Sequence, residues 1–262
     1  MSPKHFGNKP SRTGCAAPHA VRSRLFYYRE EPLMKKIATT LVLLVACAST
    51  AFASNAVRIS QMYAGGGNTG ATYSNDYIEL FNNSGTAVDI SGWSLQYGSA
   101  TGTVDLGTCV NCETIFPAGS SIPACGYFLV QLAAGTTVTN APLPVAADLV
   151  IPQATANNMG ASAGKIALRS SSVTAPCASA SVDLIGWGTT ANCFESAAAG
   201  ATSNSSMAVR NGGGTIDSDN NFSDFTIVAN AVPRNSHSPG NGECLVTPTR
   251  AASWGAMKSL YR

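Results

Sequence analysis

The sequence predicts an all-β fold, a sandwich or barrel of strands joined by long loops, on three observations. Short runs rich in Val, Ile, Tyr and Leu recur between clusters of Gly, Asn, Ser, Thr and Pro. Within those runs, side chains either alternate between apolar and polar or stay apolar throughout, as half-buried and fully buried strands do. No long stretch after residue 53 shows the 3.6-residue apolar stripe of an amphipathic helix.

In chain order, the expected strands are Val57–Tyr63, Tyr77–Asn82, Trp93–Tyr97, Gly126–Leu132, Lys165–Arg169, Val182–Gly188, Met207–Arg210 and Phe225–Val228. In Asp76-Tyr77-Ile78-Glu79-Leu80-Phe81, Ile78 and Leu80 share one side with Asp76, and Tyr77, Glu79 and Phe81 share the other, so one face is expected to be core. Gly126-Tyr127-Phe128-Leu129-Val130-Gln131 is apolar on both sides and reads as a central strand. Val88-Asp89-Ile90-Ser91-Gly92-Trp93 and Val182-Asp183-Leu184-Ile185-Gly186-Trp187 share a short pattern that reads as two turn-to-strand entries. In each, a Gly permits a tight approach and Trp93 or Trp187 anchors the core.

The first fifty-odd residues read as export machinery rather than fold. Met34-Lys35-Lys36 supplies a positive start, Ile37 to Ala46 an uncharged apolar stretch, and Ala51-Phe52-Ala53 the small-x-small pattern of a signal-peptidase site. Residues 1–33 are expected to be a mis-annotated upstream extension, 34–53 the signal peptide, 54–240 the folded domain and 241–262 a linker with a short tail. Leu44-Val45-Ala46-Cys47 also fits a lipobox, which would leave an acylated Cys47 on the cell envelope. The apolar stretch is well short of the roughly 20 residues that a membrane span needs.

With the mature chain beginning at Ser54, eight basic and twelve acidic side chains remain, a net charge of −4 against +2 for the whole sequence. So few cations leave no footprint for a phosphate backbone, which disfavours nucleic acid as a partner. The mature cysteines are Cys109, Cys112, Cys125, Cys177, Cys193 and Cys244. Six in an exported chain point to disulfides, in any of fifteen pairings. The pair best supported by position is Cys177 with Cys193, which flank one short β segment.

Asp76-Tyr77-Ile78-Glu79-Leu80-Phe81-Asn82-Asn83, followed by Ile90-Ser91-Gly92-Trp93-Ser94-Leu95, resembles the lamin-tail signature: an aromatic-aliphatic-Glu strand, then a Gly-Trp strand. Ile59–Tyr63 with the Gly65-Gly66-Gly67-Asn68 loop, Gly126–Gln131, Gly164–Leu168 and Ala191–Glu195 are similar to bacterial members, and Asp217–Phe225 and Pro233–Ser236 fit the closing segment. The resemblance implies an immunoglobulin-like antiparallel β-sandwich in an exported setting. It carries no catalytic residues, although such domains often accompany secreted nucleases and hydrolases. Fold alone does not assign an activity.

Other chemistries require particular residues in particular places. Gly160-Ala161-Ser162-Ala163-Gly164 matches a nucleophile elbow, but polar Asn157-Asn158 precedes it and a β-like run follows, so it reads as a turn into a strand. His237 is the sole mature histidine, which leaves zinc and most general-base mechanisms without their usual residue. Cys109-x-x-Cys112 could begin a zinc site or a redox pair, yet no second such motif follows, and a structural disulfide is favoured. Asp217, Asp219, Asn221 and Asp224 offer oxygens at spacings that suit calcium, but Phe222 stands at the glycine position of the familiar loop. Local Asx hydrogen bonds are therefore the preferred reading and no cofactor is expected. Glu79 is expected to satisfy loop N–H groups rather than to catalyse.

After a Thr/Pro linker, Ser253 could cap a short helix with Trp254, Met257 and Tyr261 on one face, a candidate partner-docking element. The whole reads as a non-catalytic module of the cell exterior that binds a polymer or protein. The alternatives are an accessory of a secreted nuclease or hydrolase, and the Cys47 lipoprotein.

Overall fold

A computed structural model describes residues 56–135 and 140–244. The proposed leader, Cys47, and the tail with Trp254, Met257 and Tyr261 lie outside the described residues. The strands are β1 (Val57–Tyr63), β2 (Asn75–Asn82), β3 (Val88–Asp89), β4 (Ser94–Ser99), β5 (Glu113–Ile115), β6 (Ser121–Ile122), β7 (Tyr127–Ala134), β8 (Leu149–Val150), β9 (Gly164–Arg169), β10 (Asp183–Trp187), β11 (Ser206–Arg210) and β12 (Phe225–Ala229). One short helix, α1 (Asn221–Asp224), precedes β12.

Six strands form one sheet in the order β12-β11-β1-β2-β7-β8 and four form another in the order β10-β9-β4-β5. Between them lies the main core, with Ile59, Ile78, Leu80, Val130, Ile166, Leu168, Ile185 and Trp187. All pairings are antiparallel except β7 with β8. This is the immunoglobulin-like β-sandwich with long loops that the sequence predicts.

The eight expected strands each fall on an observed one. Missing from the sequence reading are β3, β5, β6 and β8, which have two or three residues each. Runs that short have no detectable period.

Two expectations need correction. β2 is buried on both faces, not one. Behind the sheet, Tyr63, Tyr73, Tyr77, Leu129 and Met207 form a second cluster, in which Tyr63 and Tyr73 meet edge to face at 5.9 Å. Tyr77 belongs to this second cluster, and Glu79 lies on the same side. The repeated Val-Asp pattern also marks two different places. Gly92 sits in a turn at φ 75°, whereas Gly186 lies within β10 and Trp187 ends that strand. A Cβ on Gly186 would come within 2.1 Å of the Cys193 carbonyl oxygen, so this glycine lets the following loop cross directly over β10. Both Trp assignments hold to different degrees: Trp187 is fully buried and Trp93 packs at the edge of the core.

Candidate functional site

Glu79 is held by an extra residue in the neighbouring strand and by the closing segment. The β1/β2 register slips between Ile59 and Gln61, and the bulged residue Ser60 donates from Oγ to Glu79 Oε1 at 2.6 Å. Arg234 donates from its backbone N to Oε2 at 2.5 Å and from its guanidinium to Oε1 at 2.7 Å. The same guanidinium lies 3.7 Å from the Tyr127 ring centroid. Burial pushes the Glu79 carboxyl up and the Arg234 charge opposes it. With both oxygens bound and no exposure, Glu79 is a clamp on the closing segment rather than a free acid or base.

A larger charged cluster joins the two sheets around Arg210, on β11. Its Nε donates to the Ile59 carbonyl at 2.9 Å, and NH2 donates to both Asp183 oxygens at 2.8 and 2.7 Å. NH1 reaches Asp217 at 3.0 Å and lies 3.7 Å from Asp224. Asp217 also pairs with Arg58 at 3.0 Å, and the Arg210 guanidinium stacks 4.5 Å from the Phe225 ring centroid. Asp183 on β10 closes the joint by accepting the Ile59 N–H at 2.5 Å.

Glu195, in the loop that crosses β10, completes the cluster. Burial first, then the charges of Asp183, Asp217 and Asp219, push its carboxyl up to about 8. One oxygen each of Asp183, Glu195 and Asp217 lie within 4.8 Å of one another, a hard donor set of the kind that suits calcium. Arg210 already bridges two of the three, so the cluster holds a cation of its own chain.

Three of the four oxygen-bearing residues singled out for calcium are bound to other groups of the chain. Asp217 turns to the two arginines. Asn221 is buried, and its Oδ1 accepts the N–H groups of Gly186 and Glu195 at 2.9 and 3.1 Å. Asp224 accepts from Ser218 N at 2.9 Å and Ser218 Oγ at 2.6 Å. Burial would raise its carboxyl, but these bonds, Asn220 N–H and Arg210 outweigh it and hold the carboxyl below the ordinary range. Asp219 is exposed at φ 53°. Backbone hydrogen bonds and ion pairs thus occupy three of the four, and Asn220, missing from the sequence reading, caps α1 by accepting the Phe222 N–H at 3.1 Å.

The remaining motifs separate in the same way. Gly160–Gly164 runs from a loop into β9. Gly160 O accepts the Trp187 indole N–H at 3.2 Å, and Ala161 O accepts the Thr202 hydroxyl at 2.6 Å. His237 is exposed in the turn of Asn235 to Ser238 and has Ser236 Oγ at 3.3 Å. Among the described residues the cysteines form Cys109–Cys112, Cys125–Cys244 and Cys177–Cys193, with Cα separations of 5.2, 5.5 and 6.3 Å. The last pair closes around β10.

Sequence reasoning passed over two further buried groups. Asp76 accepts Gly66 N–H and Met159 N–H, each at 2.8 Å, and so ties two loops together. Burial pushes its carboxyl up to about 7. Arg169 donates to the carbonyls of Ala180 at 2.7 Å and Pro176 at 2.9 Å, and no carboxylate is bonded to it.

The chain also matches a known family. The model of the Lamin Tail Domain matches residues 50–189, more than half of the chain. The chain belongs to the lamin tail domain family. Lamin-tail domains are immunoglobulin-like and non-catalytic, and the match takes in β1 to β10. β11 and β12, which carry Arg210 and complete the six-stranded sheet, follow the matched residues. A search of curated proteins gave no match. Among solved structures, a DUF4876 family protein from Bacteroides thetaiotaomicron is similar at 11% identity, with a TM-score of 0.45, over 74% of this chain and 75% of that one.

Proposed function

We propose that this lamin-tail chain is an exported, non-catalytic binding or structural module that presents its loops to a polymer or protein of the cell exterior. The observation that carries the reading is the use of cysteine: all six that follow the predicted cleavage site are paired, which suits an oxidising compartment. Four acids support the same reading, because Glu79, Asp183, Asp217 and Asp224 are engaged by arginines. An active site keeps such groups free to exchange protons. The loops that remain are built from uncharged Ser, Thr, Asn, Gly and Ala, and a rigid sandwich is a suitable platform for them.

The test is expression of the full chain in a secreting host, followed by mass spectrometry of the mature N-terminus and pull-downs with glycan, protein and DNA. A Ser54 terminus, binding to a glycan or protein, and no turnover of DNA or esters are expected. A lipid-modified Cys47 terminus would favour the envelope lipoprotein. Hydrolysis that disappears in Glu79→Ala or Asp217→Ala would overturn the non-catalytic reading and support a nuclease or hydrolase accessory.

A further inference from the structure

The three disulfides differ in what they hold. Cys125 and Cys244 are 119 residues apart, and Cys244 is buried beside Phe81 and Tyr127. Cys177 and Cys193 are 16 apart and pack against Leu106, Ala167 and Leu184. Cys109 and Cys112 are only 3 apart, and so short a closed loop restricts the unfolded chain least. This bond therefore does little as a staple.

The turn that carries it is secured by other means. Cys112 N–H donates to the Cys109 carbonyl at 3.1 Å and Tyr97 N–H to the Cys112 carbonyl at 2.8 Å. Asn111 Nδ2 donates to Ala154 O at 2.9 Å, and Asn157 Nδ2 donates to Asn111 O at 3.0 Å. Asn111 has φ 62°, a left-handed turn that Asn tolerates. None of these contacts needs the S–S bond, so the two thiols stay within reach of each other after it opens. The two sulfurs are also unequal: Cys109 is the one exposed cysteine among the described residues, Val110 beside it is 91% exposed, and Cys112 is 6% exposed within the core cluster.

We infer that the Cys109–Cys112 turn is a thiol–disulfide exchange site, with Cys109 as the sulfur that meets an external thiolate and Cys112 as the resolving thiol. The incoming thiolate attacks Cys109 Sγ. The bond to Cys112 breaks with its electron pair going to Cys112 Sγ, which takes a proton from solvent, and a mixed disulfide remains on Cys109. A second thiolate attacks the partner sulfur of that mixed disulfide and releases Cys109. Two external thiols are thereby oxidised to one disulfide, and two electrons reduce the turn. In the reverse direction the reduced turn reduces an external disulfide. The substrate class is a thiolate, either a small thiol or a cysteine of another protein.

The experiment takes the full chain in its oxidised form through a series of glutathione/glutathione-disulfide buffers, and in parallel through reduced thioredoxin. Acid quenching and maleimide labelling are followed by peptide mass spectrometry of each cysteine pair, with the melting curve recorded on the same samples. Cys109–Cys112 is expected to be half-reduced in a buffer at least tenfold less reducing than the other two pairs need, about 30 mV by the two-electron relation, with the melting curve retained. In Cys112→Ser the glutathione adduct should accumulate on Cys109, whereas Cys109→Ser should give little adduct on Cys112. Opening by glutathione identifies small thiols as competent, and opening by thioredoxin alone identifies a protein thiol. Resistance to both reagents, or release of all three pairs together with unfolding, would overturn the assignment in the unmutated protein, whether or not the variants fold.

Discussion

Two arginines are almost fully enclosed, and their surroundings differ. Arg210 joins β11 to β10 and β1 through carboxylates of Asp183, Asp217 and Asp224. Arg169, at the end of β9, reaches only backbone carbonyls of the 175–180 loop, and its Nε has no partner. The first is charge matched to charge across parts of the chain that are far apart in sequence. The second orders a loop too poor in apolar side chains to order itself. The joint of the sandwich is thus fixed by its core, and the loops over the four-stranded sheet are fixed one contact at a time, by carbonyl bonds and a disulfide.

The largest effect should come from the joint. Arg210→Met leaves several carboxylates buried around an apolar side chain, and breaking a buried ion pair from one side costs about 3–5 kcal/mol. Denaturant unfolding should show a loss of that size, and a loss below about 1 kcal/mol would mean that the acids find water or protons easily. Next comes the covalent tie on the loop: Cys177→Ser with Cys193→Ser removes the closure of a loop of roughly 15 residues, worth on the order of 3 kcal/mol in the chain-entropy estimate. Peptide mapping without reduction should first find the two cysteines linked, and finding both alkylated would remove the basis of this prediction.

Arg169→Met should be milder and should lower the free energy of local opening of the loop, by about 1–3 kcal/mol, because several loop carbonyls lose a donor while water can reach some of them. Its signature should be local: faster proteolysis within residues 170–182 with the main unfolding transition little shifted. A loss as large as that of Arg210→Met would erase the contrast between the two arginines.

Proton binding should give the most graded effect, spread over several pH units. The Asp76 carboxyl is pushed from 3.8 up to about 7 and that of Glu195 from 4.5 up to about 8, burial being the first cause in both. Each holds its proton more tightly in the folded chain than in the unfolded one. Their contribution to stability is therefore full below the unfolded values and is lost as pH rises through about 7 and about 8. Melting temperature should fall between pH 5 and pH 9, and Glu195→Gln should flatten the upper part of that slope. A slope unchanged in this variant would show that Glu195 is ionised throughout.

The joint and the loops also differ in how far they could be read from sequence. Alternation located the strands and the aromatic-aliphatic-Glu run located Glu79, because both are local patterns. The pairing of Cys177 with Cys193 was accessible for the same reason, since the two flank one strand. Arg210 was not, because its partners come from β10, the loop after β11 and α1, which only the fold brings together. Cys125 with Cys244 is hidden by the same distance along the chain. The second buried face of β2 is not legible in the strand itself, because much of its cover, Leu129 from β7 and Met207 from β11, is distant in sequence.

Native-state hydrogen exchange followed by NMR tests most directly the claim that a rigid joint carries independently held loops. Amides of β1, β2, β7 and β11 should exchange only through global unfolding, with a free energy that drops in Arg210→Met. Amides of residues 170–182 should exchange through a lower-energy local opening that responds to Arg169→Met and to loss of Cys177–Cys193, and not through the global event. Exchange of both regions with one common free energy, falling equally in all three variants, would contradict the account.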